Sequence, residues 1–271
     1  EGQSLDNGPH ILVGAYDQTL RLMAQAGVSE ASALRREPLH LEMAGALRLQ
    51  APRHLPAPLH LAWALLTAQG LTWFEKLSAL KLMRRLEAMG FAIGADCTAR
   101  DFLHRWRQPD RLIQLLWEPL CLAALNTPVT QASAQVFAHV LRDTLAGPRT
   151  ASDLLLPRSD LSALFPDAAA SYIQTHGGTL ITGQRVHSVA RTPEGYAVDG
   201  RHAESVILAT APYHLGALMQ GLPVPNPLGQ RLDALRWQPI VSIYLCYESP
   251  VTLPFVMTGI ANATAQWFFD R

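Results

Sequence analysis

The side chains that could do chemistry in this chain are few and scattered. Glu118 stands beside Pro119 inside an otherwise apolar run, Leu115-Leu116-Trp117 before it and Leu120-Cys121-Leu122 after it. A carboxylate there needs a partner, and burial would shift its pKa. Catalytic, structural and solvent-facing roles for it all stay open. Arg142-Asp143, and Asp153 with Arg158, read either as a charged cluster between domains or as surface ion pairs worth little individually. Cys97, Cys121 and Cys246 are odd in number and far apart, with no metal-clamp or disulfide spacing. Each has apolar neighbours, which predicts buried, inert thiols. No metal site is expected. His-Glu-x-x-His, Gly-x-Ser-x-Gly and phosphate-binding Gly-Lys-Ser/Thr patterns are absent from the sequence.

The elements that would position such residues fall into two regimes. Asn7-Gly8-Pro9 is a turn signal leading into a short strand within residues 1–15. Leu20, Met23 and Ala24 recur at helical spacing in a helix over 16–26, stopped by Gly27. Residues 29–147 read as almost wholly helical. Thr72-Trp73-Phe74-Glu75 is a capping box opening a helix that runs to Met89, and Thr98-Ala99-Arg100-Asp101 starts another. Pro109 and Pro119 are expected to divide the run Arg111 to Asn126, and Gln131 to Leu145 is a further helix. After residue 150 a helix over Asp160–Thr175 precedes short segments rich in Val, Ile, Thr and Tyr: 179–182, 185–191, 196–199 and 205–210. They predict a β-meander ending in a buried strand at Val206-Ile207-Leu208-Ala209. A Pro-rich connection and a helix then lead to an alternating strand over Ile240–Tyr247.

Composition narrows the class. Apolar residues make up 49% of the 271 positions and charged residues 16%, so disorder is excluded. Lys plus Arg number 22 and Asp plus Glu 22, so the basic excess of a nucleic-acid binder is missing and no such partner is expected. No run approaches the roughly 20 apolar residues of a membrane span. The start, Glu1-Gly2-Gln3-Ser4-Leu5-Asp6, lacks the features of a signal peptide and reads as a chain entered midway. The other end stops on the strand-like Gln266-Trp267-Phe268-Phe269, so both ends look cut. The expected location is cytoplasmic, with peripheral membrane contact as an option. The helix 73–89 carries Lys76, Lys81, Arg84 and Arg85 beside Trp73, Phe74 and Leu77. A basic amphipathic helix with aromatics can lie in a membrane interface, and an ordinary solvated face reads equally well.

Three segments together resemble a known family. The first is Leu5-Asp6-Asn7-Gly8-Pro9-His10-Ile11-Leu12-Val13-Gly14. The second is Trp117-Glu118-Pro119-Leu120-Cys121-Leu122-Ala123-Ala124-Leu125-Asn126, continuing through Ala132–Phe137 to Leu141-Arg142-Asp143. The third is Gly177-Gly178 with Val186 and Ala209-Thr210-Ala211-Pro212. They are similar to the squalene-associated flavin desaturases, the hydroxysqualene dehydroxylases, within the wider group of amine oxidases, protoporphyrinogen oxidases and phytoene desaturases. Pro9 stands where Gln is more usual in that family. The second segment is the most family-specific.

The resemblance implies a mixed α/β fold: an incomplete FAD/NAD(P)-binding domain from residues 1–15 and 157–215, and a largely helical substrate domain from 16–156 and 216–271. It also implies that Gly8, Pro9 and His10 lie beside the flavin, Val186 faces the adenine through its backbone, and Ala209, Thr210 and Ala211 end a strand near the diphosphate. Each of these also reads as an ordinary turn or strand residue. The family's Gly-x-Gly-x-x-Gly loop, whose amides approach the diphosphate, is absent from the sequence. FAD is therefore expected in the complete protein and held poorly, or not at all, by this chain alone.

The implied reaction replaces an allylic hydroxyl of hydroxysqualene by hydride, giving squalene for hopanoid-type synthesis, with an apolar triterpene as the partner molecule. It needs a proton donor near the ring, and His10 and Asp6 are the nearest candidates by position. Two alternatives stand beside it: a carotenoid-type desaturase or amine oxidase-like flavoenzyme, and a cofactor-free protein that binds apolar lipid. The oligomeric state is not legible.

Overall fold

The computed structural model describes residues 5–8, 10–223, 226–249, 251–253, 255–261 and 263–270. Pro9 lies outside the described residues. The chain forms two compact units, residues 1–176 with 240–271, and residues 177–239. Helices and strands are mixed throughout.

In the first unit, β1 (Leu12–Val13) leads into α1 (Asp17–Gln25) and the short α2 (Glu30–Ala33). Strands β2 (Leu34–Glu37), β3 (His40–Met43) and β4 (Leu47–Gln50) follow where a helix was expected. The reason is visible in their burial. Leu41, Met43, Leu47 and Leu49 point to the core while His40, Glu42, Arg48 and Gln50 point away, the two-residue alternation of a sheet.

The helical block is α3 (Leu59–Thr67), α4 (Trp73–Ala88), α5 (Ala99–Arg105), α6 (Asp110–Leu112), a π turn (Ile113–Trp117), α7 (Glu118–Leu125) and α8 (Ala134–Leu145). A 3-10 turn (Arg149–Ser152) then precedes β5 (Leu154–Pro157), α9 (Leu161–Leu164) and α10 (Pro166–Thr175). The expected single helix over 160–175 is broken at Phe165, whose φ is −149°, just ahead of Pro166. Pro109 does precede a helix start, but Pro119 does not divide the run. The π turn hands its backbone directly to α7, and the Glu118 amide donates to the Ile113 carbonyl. A turn widened in this way lets the chain pass a proline that would otherwise clash with the carbonyl four residues back.

β5 is central in an antiparallel sheet ordered β1-β5-β2. The second unit supplies β6 (Val189–Thr192), β7 (Gly195–Val198), β8 (Arg201–Ala203), α11 (Pro212–Leu218) and α12 (Asn226–Asp233). Its three strands form the expected meander, turned between β7 and β8 by Asp199-Gly200. The Asp199 carboxylate accepts from the Ser188 and His187 amides at 2.8 and 3.0 Å, and those bonds hold its pKa down. Segments 179–182 and 205–210 are not strands, and Ile207, expected to be buried, is 91% exposed. Back in the first unit, β9 (Met257–Gly259) and β10 (Trp267–Phe269) complete a sheet ordered β10-β9-β3-β4. Residues 240–247 alternate as a strand would, yet they pair with nothing among the described residues and leave Ile240, Val241, Ile243 and Leu245 exposed.

The main core lies between the β3–β4 face and the helical block, around Leu82, Leu86, Phe102, Leu112, Trp117 and Phe137. The Trp117 indole donates to Gln108 Oε1 at 3.0 Å, and Gln108 Nε2 donates to the Ser78 carbonyl at 3.0 Å, so this buried polar chain is satisfied. A smaller core of Met23, Leu34, Leu155 and Leu164 sits against β5.

The capping box is complete. The Glu75 amide donates to Thr72 Oγ1 at 3.3 Å and the Thr72 amide to Glu75 Oε2 at 2.7 Å. Arg111 Nη1 reaches both Glu75 oxygens at 2.8 and 3.0 Å. Burial pushes the Glu75 pKa up, but the Thr72 amide and Arg111 outweigh it, and the net shift is downward.

Just before this box, Gly70 has φ +89°, and a Cβ there would lie 1.9 Å from the Ala46 carbonyl oxygen. Gly90, at the far end of α4, has φ +59° with nothing within 4 Å of a Cβ. Gly70→Ala is expected to cost about 3 kcal/mol, combining left-handed strain with backbone overlap, against about 1 kcal/mol for Gly90→Ala, where strain acts alone. Urea unfolding midpoints of the two variants check this, and equal losses would mean that the overlap relaxes away.

Candidate functional site

The N-terminal turn is held by its own surroundings. Asp6 Oδ1 accepts from the Leu161 amide at 2.9 Å, at the first turn of α9, and the Asp6 carbonyl accepts from the Tyr244 hydroxyl at 2.8 Å. Gly8 is buried, and a Cβ there would sit 2.9 Å from Ser242 Oγ, so the glycine lets segment 240–247 approach. His10 is exposed, and among the described residues its ring makes no hydrogen bond or ion pair. The structure thus brings Asp6 and Gly8 together with Ser242 and Tyr244, with His10 two positions after Gly8 in the chain.

The remaining sequence candidates belong to the second unit. Val186 is 39% exposed in an irregular segment preceding β6. Ala209 is exposed, and Ala211 is the N-cap of α11, with Pro212 at its first position. The Thr210 hydroxyl donates to the Ala211 carbonyl at 3.1 Å. The expected strand end is therefore not formed, and these residues lead from an irregular segment into a helix.

A second feature of the first unit is a cavity of about 390 Å³. Ile113 and Gln114 of the π turn, with Glu118, Pro119 and Leu122 of α7, form one wall. Met43 of β3, Trp267 of β10 and Ile260, just past β9, line it as well. Glu118 Oε2 accepts from the Val129 amide at 3.1 Å, which answers the need for a partner raised by its sequence position. Its charge also acts on Cys121. Burial, reinforced by Glu118, pushes that thiol up to about 12, which keeps it protonated and inert. Cys97 is only half-buried and Cys246 is exposed, so the expectation of burial holds for one cysteine of three.

Sequence reading singles out Glu118 but not Gln114, one helical turn earlier on the same wall. The four-residue spacing is the signal that could have found it. Arg100 and Asp110 also line the cavity, and Asp110 meets His104 at 2.9 Å. Among the described residues no group of three or more His, Cys, Asp or Glu side chains is arranged to hold a metal ion.

The charged candidates sort differently from expectation. Arg142 pairs with Asp143 on the surface at 2.7 Å, a contact worth little. Asp153 does not pair with Arg158. It is 1% exposed and accepts from Arg149 at 2.9 Å and Arg36 at 3.3 Å, while Arg158 donates to the Leu34 carbonyl. The neighbouring Ser152 hydroxyl lies 3.1 Å from His60 Nε2, and burial pushes the pKa of that imidazole down. Asp153, Ser152 and His60 are buried in this knot, which ties α3 to the 3-10 turn ahead of β5.

The profile of a protein family described as flavin containing amine oxidoreductase matches residues 1–266. Among curated proteins, hydroxysqualene dehydroxylase of Rhodopseudomonas palustris is 27% identical over 171 residues, covering 59% of this chain and 37% of that protein. The Sinorhizobium fredii protein of the same name is 25% identical over 166 residues, covering 58% and 37%. That of Zymomonas mobilis is 22% identical over 162 residues, covering 57% and 37%. The chain thus aligns with little more than a third of the length of each relative.

Proposed function

Because the chain belongs to the flavin-containing amine oxidoreductase family, we propose that this protein is an FAD-dependent oxidoreductase acting on a triterpene alcohol. The reaction we propose is the reductive dehydroxylation of hydroxysqualene to squalene, a step that would feed hopanoid-type synthesis. The family match over residues 1–266 carries this reading, and the names of the three relatives direct it to this substrate.

The residues present suit the flank of a flavin better than its diphosphate. The turn at Asp6–Gly8 offers backbone groups, while the sequence has no Gly-x-Gly-x-x-Gly loop. When bound, a reduced flavin supplies the hydride that replaces the hydroxyl. The balance also requires a proton, which leaves with the hydroxyl as water. Asp6 is engaged with the Leu161 amide and holds the turn, so the exposed His10 is the residue we propose as proton source. The cavity beside Glu118 and Gln114 pairs an apolar side, Met43, Ile113, Leu122 and Trp267, with the polar Arg100, Asp110, Gln114 and Glu118, so it could hold a hydrocarbon chain and meet its hydroxyl.

The decisive experiment is the visible absorption spectrum of the full-length protein under anaerobic conditions. A flavin spectrum that bleaches on reduction and returns when hydroxysqualene is added, with squalene as product, is the expected result. A reduced flavin that ignores hydroxysqualene, with an oxidised enzyme that desaturates a carotenoid precursor, would replace this reading by the opposite redox direction. A colourless protein that FAD cannot reconstitute would leave a cofactor-free lipid binder.

A further inference from the structure

The helical block carries an apolar surface that its own fold does not cover. On α3, Leu59 and Trp63 lie one helical turn apart on the solvent face, 55% and 54% exposed. At the start of α4, Trp73, Phe74 and Leu77 are 66%, 69% and 49% exposed. The two groups are linked by Lys76, whose ammonium donates to the Leu66 carbonyl at 2.7 Å and lies 4.9 Å from the centre of the Trp73 ring. Three tryptophan or phenylalanine rings and two leucines exposed side by side are unusual on a surface meant only for water.

The charge around this patch is arranged as well. At 100° per residue, the exposed residues of α4 fall on one stripe, with Trp73, Phe74 and Leu77 in its first half and Lys81, Arg84 and Arg85 in its second. Glu87 lies at one edge of that stripe. The carboxylate nearest the aromatic tip, Glu75, is 5% exposed and engaged by Arg111 and the Thr72 amide, so it presents no free negative charge there. Lys76 is buried and bonded, which leaves the tip apolar and the cations about 12–18 Å further along the axis. The cap also fixes the first turn of α4, so the two aromatics are presented by a rigid backbone.

We propose that this face is a docking surface for an anionic lipid bilayer. Trp63, Trp73, Phe74 and Leu77 enter the interface between headgroups and acyl chains, and Lys81, Arg84 and Arg85 meet the phosphates around them. Aromatic rings favour that depth, and basic side chains near it add attraction to anionic lipid. Among the described residues no helix is long and apolar enough to cross a membrane, so the association is one of surface contact.

Sedimentation of the full-length protein with vesicles tests this. Vesicles of phosphatidylcholine with about a third phosphatidylglycerol are compared with phosphatidylcholine alone, at low and at 0.5 M salt. The expected result is binding to the anionic vesicles that weakens at least tenfold in high salt. The paired change Trp73→Ser with Phe74→Ser is expected to weaken it at least tenfold, with the unfolding midpoint kept because both side chains are already exposed. Lys81→Gln with Arg84→Gln and Arg85→Gln is expected to reduce binding to the level seen on neutral vesicles. The proposal is overturned if the wild-type protein stays in the supernatant with both vesicles, or if the aromatic pair variant binds as the wild type does. It is equally overturned if that variant turns a dimer into a monomer without changing vesicle binding, because the patch would then be a contact between copies.

Discussion

Asp153→Ala is expected to remove about 3–5 kcal/mol of stability, the range found when one partner of a buried ion pair is deleted. The side chain is 1% exposed, and two guanidinium groups depend on it, Arg149 at 2.9 Å and Arg36 at 3.3 Å. Both guanidinium groups are largely buried, with side chains 29% and 25% exposed for Arg36 and Arg149. Arg36 is also held by Glu30 at 2.8 Å and by the Thr150 carbonyl at 3.1 Å, so losing Asp153 leaves positive charge fixed beside the vacated space. The backbone there is committed too, because the Asp153 carbonyl accepts from the Gly14 amide at 2.9 Å and the Ser152 hydroxyl bonds to the Arg149 carbonyl at 3.0 Å. Asp153→Asn keeps the shape and removes the charge. If charge dominates, Asn should recover less than half of the loss; if filling the space dominates, Asn should be nearly neutral. Urea unfolding with an unchanged slope gives both numbers, and a loss below 1 kcal/mol for the alanine variant would show that the two arginines find other partners.

This knot also shows where sequence reading stops. Arg36 and Asp153 are 117 positions apart, and nothing local in either segment announces the other. What sequence does carry is local. The Thr72–Glu75 box and the Thr98 cap are legible because partner and acceptor lie three residues apart, and both are present in the structure. Asp199-Gly200 marks its hairpin for the same reason. Residues 34–50 read as helical because Leu, Arg, Glu, Met and Ala dominate them, and these residue types favour helices on average. The alternation of Leu41, Met43, Leu47 and Leu49 is the better guide, since it decides which side of the chain can be buried.

The reverse error occurs at 240–247 and 205–210. Both have the composition of strands, but a strand exists only where another backbone takes up its hydrogen bonds, and no partner is found among the described residues. Pro119 misleads in a third way, because a π turn, which a single sequence does not signal, absorbs it. Of the candidate site, the turn at Asp6–Gly8 was legible from Asn7-Gly8 and the family likeness. The cavity wall was legible only in part, through Glu118, because its other side comes from strands 70 to 150 residues away in sequence.

His10→Ala is expected to lower turnover of hydroxysqualene by about 10²–10⁴-fold, the usual contribution of a positioned proton donor. The residue is exposed, two positions after Gly8 in the chain, and no polar contact among the described residues gives it a structural task. Its removal should therefore leave the unfolding midpoint and the flavin spectrum as they are. Asp6→Ala separates position from chemistry. It deletes the acceptor of the Leu161 amide and is expected to cost about 1 kcal/mol, as lost helix caps do, with a smaller fall in turnover through the displaced turn. A proton donor and a turn anchor also differ in their dependence on pH. Loss of the donor should flatten the alkaline limb of kcat against pH, because a general acid stops working once it has lost its proton, whereas loss of the anchor should lower the whole profile without changing its shape. Unchanged turnover in His10→Ala would remove this histidine from the mechanism. A flattened limb in Asp6→Ala instead would make the carboxylate the acid and reduce its bond to Leu161 to a resting arrangement.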